Sequence, residues 1–350
     1  MSRAAIRPAL AAALALAAAL ALGCAPRAPA GPASPAARPE AEAPSPASAG
    51  TVYLRLAETH PADYPTTKGD YEFARLVEER SGGRIRIVVY PGSELGQERA
   101  VIEQVQFGGI DLTRVSVSVT ASFAPVLNAL QMPYLYRDNE HMWKVLKGDI
   151  GRELLAQLEG AGFVGLGWFE PGSRNFYNSV RPVRVPEDLR GLRIRVQENE
   201  FMMSLASAFG AVPSPMPYGE VYAGLQTGTI DGAENNWPSY YSTSHYEVAR
   251  YLTLDEHSCV PEIILGSKES LGELSAADQE LIRAAAFDAI DYQRAEWAAY
   301  EKLAEEKVRA AGTLVVPIKD KGAWQALMAP LYARQSPEVR AVIERVRALR

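Results

Sequence analysis

The chain has 350 residues, a formal net charge of -6, 47% hydrophobic and 22% charged residues. That composition is ordinary for a globular protein, with apolar material for about two domains. The acidic balance, with no basic patch interleaved with aromatics, excludes a nucleic-acid-binding surface, although a local arrangement of Arg side chains can still hold an anion.

Arg3 and Arg7 precede an uninterrupted apolar run, Ala9 to Leu22, which ends in Gly23-Cys24. A positive start, an apolar stretch and small residues form an export signal, so residues 1–24 are expected to be a signal peptide. The run is about 14 residues, short of the roughly 20 needed to span a bilayer. It resembles a lipoprotein signal with Cys24 as the lipid-bearing residue, although Ala21 stands where such signals favour Leu. An ordinary secretory signal cut nearby is the other reading. Residues 25–50 are dominated by Ala, Pro, Ser and Glu, which bury too little surface to offset ordering entropy and are expected to form a disordered tether. Cys259 is then left without a disulfide partner.

From Thr51 onward strands and helices alternate. Residues 52–57 read as a strand and 68–80 as an amphipathic helix with Tyr71, Phe73, Leu76 and Val77 inward. Ser81-Gly82-Gly83 stops that helix. Strand 84–90, helix 96–107 and strand 110–119 follow. This cadence predicts a mostly parallel α/β sheet. A second unit begins near Gly162, with a strand at 193–196, a helix over 200–209 and another from Tyr218 to Gln226. Ser275 with Asp278 reads as an N-cap, and the helical pattern behind it runs roughly 35 residues without Pro or Gly, well beyond the common length. So long a helix spans more than one lobe. A strand over 314–317 and a terminal helix complete the chain.

The most informative stretch is Pro215-Met216-Pro217-Tyr218, continuing through Gln226 to Asp231-Gly232-Ala233-Glu234-Asn235-Asn236, preceded by Gly191-Leu192-Arg193-Ile194-Arg195-Val196. Together these segments resemble the signature of the substrate-binding proteins of TRAP transporters, the DctP-like family. The resemblance covers nearly all of residues 51–350. It implies an α/β, two-lobed periplasmic-binding-protein-like fold, with a long helix spanning both lobes and a ligand cleft between them. The expected division is lobe I at 51–172 with 261–300, and lobe II at 173–260 with 301–350.

An arginine fork takes a carboxylate bidentately, a geometry lysine lacks. The resemblance makes Arg195 the anchor of a ligand carboxylate, Arg174 a supporting cleft residue, and Asn235 and Tyr218 ligand contacts. Glu234 is expected to hold Arg195 in place. Asn236 and Trp237 depart from the more frequent Asn-Pro continuation, and imply an added amide and a flat apolar wall suited to a sugar face. Core packing is the competing reading for Tyr218 and Trp237. Glu58, His60 and Arg114 end predicted strands and are expected at the cleft. Glu58 would accept hydrogen bonds from hydroxyls, which favours a hydroxylated acid such as a uronate over a bare dicarboxylate.

The resemblance implies a periplasmic or extracytoplasmic solute receptor, membrane-anchored through Cys24. It would bind a small organic acid and deliver it to small and large TRAP membrane subunits, without a cofactor. C4-dicarboxylates and 2-oxo acids are alternative ligands; an ABC-type receptor, a chemosensory receptor and a secreted enzyme are alternative roles. The four histidines lack metal-site spacing, and no nucleophile–base pair, Walker loop or dinucleotide fingerprint supports catalysis.

Overall fold

The computed structural model describes residues 50–350. The signal segment, Cys24 and all of the tether but Gly50 lie outside the described residues. Eleven strands among them form two sheets. The first contains β1 (Val52–Ala57), β2 (Ile85–Tyr90), β3 (Leu112–Ser116), β4 (Phe163–Phe169) and β10 (Glu262–Ser267), in the order β2-β1-β3-β10-β4. The second contains β5 (Ser173–Asn178), β6 (Arg193–Val196), β7 (Val212–Pro215), β8 (Gly232–Asn235), β9 (Tyr251–Cys259) and β11 (Leu314–Pro317), in the order β11-β9-β5-β8-β6-β7.

Neither sheet is purely parallel, and the exceptions have one cause. β1 pairs parallel with β2 and β3 through the crossover helices Pro65–Arg80 and Glu98–Gln106. β10 runs antiparallel to both β3 and β4. In the second sheet β6 is parallel to β7 and β8, and β11 to β9, whereas β5 is antiparallel to β8 and β9. β5 and β10 are the strands entered directly from the other sheet, through the short crossings 170–172 and 260–261, whereas β11 is reached from β10 only through helices. A strand entered by a short crossing starts at the cleft end and runs outward, opposite to its neighbours. The expectation of mostly parallel sheets missed these two arrivals.

The third connection is the helix Ala276–Ala310, whose 35 residues span about 50 Å. Ser275 caps it by accepting from Asp278 N at 3.1 Å. Its buried stripe, including Ile282, Ala286, Ala289, Gln293, Trp297, Ala304 and Val308, recurs at three- and four-residue steps. It packs on the helix Pro65–Arg80 and β4, and further along on the helix Trp237–Ser242. A Cβ at Gly69 would lie 2.7 Å from Gln293 and Phe169, so glycine there permits the close helix approach. Gly172, in the first crossing, has φ +61°, and its Cβ would meet Trp297 at 2.8 Å.

Several boundaries differ from the sequence reading. β3 stops at Ser116, whose hydroxyl accepts from Ser118 N and turns Val117–Thr120 into a short helix. The segment expected as one helix from Tyr218 begins as a 3-10 turn, Tyr218–Glu220, before Val221–Thr227. Tyr71 faces outward and is 40% exposed. The terminal helix Pro337–Ala348 rests on 125–131 and 149–157, segments that the expected division put in the other lobe.

Candidate functional site

The ends of β1, β3, β6 and β8 converge on a small cavity between the sheets. From the first lobe, Thr59, His60, Glu98, Ser116 and Glu262 line it. Arg174, Arg195, Gln197, Tyr218, Asn235, Asn236 and Ser239 complete it from the second. The volume open to water centres is about 20 Å³, room for about one water, so the lobes are closed over it. Ties across the cleft hold them there: Asn199 Nδ2 donates to Ser118 O at 2.6 Å, and Gly219 N to Gln97 Oε1 at 3.3 Å.

Arg195, on β6, is only 4% exposed. Its Nε and Nη2 donate to Met216 O at 2.8 and 2.7 Å. No carboxylate among the described residues pairs with it. Burial pushes its guanidinium below the ordinary value, with Glu234 opposing and Arg174 adding to the drop. A buried cation with only a carbonyl for a partner is an uncompensated charge.

Arg174, on β5, is the opposite case. Its Nη2 donates to Glu234 Oε1 at 2.7 Å and to Glu234 O at 2.9 Å, its Nε to Glu234 Oε2, and its Nη1 to Asn235 Oδ1 at 3.0 Å. Burial alone would raise Glu234, but Arg174 and His257 hold it at about 2. His257 Nε2 lies 3.4 Å from Glu234, and its Nδ1 2.8 Å from Asp255. Glu234 therefore holds Arg174 and not Arg195. Arg195 is in register with Ala233, and side-chain alternation turns Glu234 to the other face, toward β5.

Asn235 Oδ1 also accepts from Asn236 N at 2.9 Å, and its amide NH2 has no partner among the described residues. Asn236 is largely structural: Oδ1 caps the helix Trp237–Ser242 by accepting from Ser239 N at 2.7 Å, and Nδ2 donates to Pro171 O at 2.9 Å. Burial pushes Tyr218 up to about 12, tempered by Ser239 and Ser242, yet its hydroxyl lacks a well-formed hydrogen bond among the described residues. Gln197 Oε1 is likewise buried and unpaired.

On the first lobe the structure rearranges the expected roles. His60 is at the cavity, stacked on Tyr64 with ring centroids 3.9 Å apart. Glu58 and Arg114 stand behind the wall and do not line it. Arg114 is 0% exposed; its Nε donates to Glu58 Oε2 at 2.6 Å, its Nη2 to Glu58 Oε1, and its Nη1 to Glu262 Oε2 at 2.7 Å. Glu58 also accepts from His60 N at 2.7 Å and Thr66 Oγ1 at 3.3 Å, leaving no capacity for a ligand hydroxyl. Against the raising effect of burial, Arg114 and His60 hold it well below the carboxylate range. Glu98 and Glu262 occupy the wall instead. Trp237 is also absent from it: 9% exposed, it packs with Tyr177, Tyr240 and Leu252 in the second lobe's core, under Arg309 at 5.5 Å.

A larger cavity of about 780 Å³ lies across the crossing strands and shares no lining residue with the cleft. Ser173 lines it, while the next residue, Arg174, lines the cleft, as strand alternation requires. Glu301 there is pushed up to about 7 by burial and by Glu170, and Arg137, Arg294 and Lys321 also line this cavity.

The family profile described as bacterial extracellular solute-binding protein, family 7 (DctP) matches residues 56–338. The chain belongs to this family. A solute-binding protein from Chromohalobacter salexigens is 37% identical over 287 residues, covering 81% of this chain and 85% of its own length. A TRAP periplasmic solute-binding protein from Xanthobacter autotrophicus Py2, solved with bound β-D-galacturonate, is 40% identical with a TM-score of 0.83, covering 85% of this chain and 100% of that one. Another from Roseobacter denitrificans, with bound β-D-glucuronate, is 34% identical, also with a TM-score of 0.83, over 85% and 100%.

This family 7 protein is therefore a TRAP-type solute-binding protein and not an enzyme, with the two-lobed fold of its relatives. Among its described residues no helix is long and apolar enough to cross a membrane. The sequence reading found six of its cavity residues: His60, Arg174, Arg195, Tyr218, Asn235 and Asn236. It missed Thr59, Glu98, Ser116, Gln197, Ser239 and Glu262. Gln197 follows β6 directly and could have been found as its extension. Glu262 opens β10 and becomes visible only once the second crossing is recognised.

Proposed function

We propose that the protein is an extracytoplasmic receptor for a sugar acid, a hexuronate in particular, which it delivers to TRAP membrane subunits. Arg195 carries this reading: a buried guanidinium without a carboxylate, facing a cavity between closing lobes. A ligand carboxylate would supply the missing countercharge, with charge-assisted hydrogen bonds worth roughly 1.5–3 kcal/mol each. The unpaired Asn235 amide, Tyr218 hydroxyl and Gln197 carbonyl supply donors and acceptors for ring hydroxyls. The galacturonate and glucuronate bound by the related proteins carry one carboxylate and several hydroxyls, matching this set.

Because both lobes contribute to the wall, a ligand makes its full set of contacts only in the closed form, and its binding drives closure. The cavity is too small for a hexuronate as it stands, so the lobes and Arg195 adjust around the ligand. We place membrane attachment at Cys24, with residues 25–50 as the reach between anchor and receptor.

The test is a thermal-shift and calorimetric comparison of D-galacturonate, D-glucuronate, succinate and pyruvate on the purified protein. A ligand at ~1,000 times its Kd stabilises the native state by about 4 kcal/mol, a shift of several degrees. Response to the uronates supports the reading. Response confined to succinate or pyruvate replaces the ligand class and keeps the receptor.

A further inference from the structure

The two walls of the cleft carry opposite charge. On the second lobe, Arg195 has no carboxylate and Arg174 is matched by Glu234. On the first lobe, three carboxylates converge on Arg114. Glu58 takes its Nε and Nη2, and the remaining Nη1 is shared by Glu262 at 2.7 Å and Glu98 at 3.6 Å. Burial and then Arg114 lower the pKa of His60, which disfavours a compensating positive charge there.

Glu98 and Glu262 each keep one oxygen free. Glu98 Oε1 accepts from Ser116 N at 2.8 Å and Glu262 Oε2 from Arg114. The second oxygen of each has no partner among the described residues. Both side chains are nearly buried, 13% and 11% exposed, so solvent screens them weakly. A hydroxyl can donate to a free carboxylate oxygen there. A second ligand carboxylate cannot donate, and it meets like charge in a dry site.

We propose that Glu98 and Glu262 are the specificity-determining pair of this receptor, accepting hydroxyls at the end of the ligand remote from Arg195 and rejecting sugar diacids. The inference rests on the sugar-acid reading above. It transfers to Glu98 and Glu262 the hydroxyl-reading role that the sequence had pointed to in Glu58.

Glu262 adds a pH signature. Burial, with Glu98 and Glu58 adding and Arg114 opposing, raises it to about 7. Arg174, on β5, lines the same cavity, and Asp70, buried on the helix Pro65–Arg80, adds a further carboxyl near Glu262. Below that pH a protonated Glu262 becomes a donor and the repulsion weakens, so rejection of a diacid relaxes as pH falls from 8 to 6.

The experiment measures Kd for D-glucuronate and for D-glucarate, its diacid counterpart, with the wild-type protein, Glu262→Gln and Glu98→Gln at pH 6 and 8. The amide keeps side-chain shape, so the difference between ring and open chain cancels between variant and parent. Wild type should prefer glucuronate, and the preference should shrink by at least about tenfold in Glu262→Gln, with a smaller change in Glu98→Gln. The pH dependence of the ratio should vanish in Glu262→Gln. Melting curves of both variants report whether each is folded, and either alone suffices. Retained uronate binding with an unchanged ratio in the folded variants overturns the inference and leaves the sugar-acid reading standing. Wild-type protein that binds neither sugar acid overturns both.

Discussion

Arg174 and Arg195 share one wall of the cleft, but only Arg174 has a carboxylate partner, Glu234. The two arginines therefore answer differently to removal. Arg195→Met deletes an uncompensated buried charge, so the ligand-free protein should melt at an unchanged or higher temperature. Its uronate affinity should fall by roughly 100-fold or more, because the ligand carboxylate loses its partner. Arg174→Met leaves Glu234 buried with only His257, 3.4 Å away, and should destabilise by about 3–5 kcal/mol. Denaturant melts beside calorimetry separate the two; equal destabilisation in both variants would contradict this division of labour.

Closure has its own residue to test. Asn199 Oδ1 caps the helix Glu200–Ala208 by accepting from Phe201 N at 2.7 Å, while Nδ2 reaches across to Ser118 O. Asn199→Ser keeps an N-cap oxygen and removes the cross-lobe donor. The closed state should lose about 1 kcal/mol and uronate affinity should drop about fivefold, with thermal stability of the free protein little changed. A fall in stability as large as the fall in binding energy would assign Asn199 to the cap alone.

What the sequence revealed was local, and what it hid was distant pairing. Arg195, Tyr218 and Asn235 sit in short recognisable runs, and the long helix announces itself by an unbroken pattern behind Ser275. The reversed strands β5 and β10 carry no such mark, because their direction is set by where the chain arrives from. Glu58 follows the end of β1, as read, whereas Arg114 lies at the middle of β3 and does not end it. Their mutual ion pair spans 56 positions, and it withdrew both from the wall and left the cavity to Glu98 and Glu262. Trp237 followed a cleft motif, yet it lies at the start of a helix whose inner face belongs to the core.

That placement makes Trp237 a packing residue with a measurable signature. Trp237→Ala should cost about 3–5 kcal/mol of stability, since Tyr177, Tyr240 and Leu252 lose a shared neighbour. Uronate affinity of the folded variant should change by less than about threefold, the ring lying outside the cavity wall. A large loss of affinity in a variant of near-normal stability would return Trp237 to the wall.

His257 supplies a pH dependence of stability whose sign is fixed by its partners. Burial opposes its charge, but Asp255 and Glu234 prevail and raise it to about 9. A base with a raised folded-state pKa contributes stability that is fully present below its ordinary value of about 6.5, and that is lost as pH rises through about 9. The full span corresponds to on the order of 3 kcal/mol. Urea melts from pH 6.5 to 9 should show wild-type stability declining, and the decline should be shallower in His257→Gln, which keeps a hydrogen-bonding side chain and loses the titration. Glu301 and Glu262 titrate near 7 in both proteins, so the difference between the two curves isolates His257. Parallel curves would mean that the imidazole stays neutral between its two carboxylates.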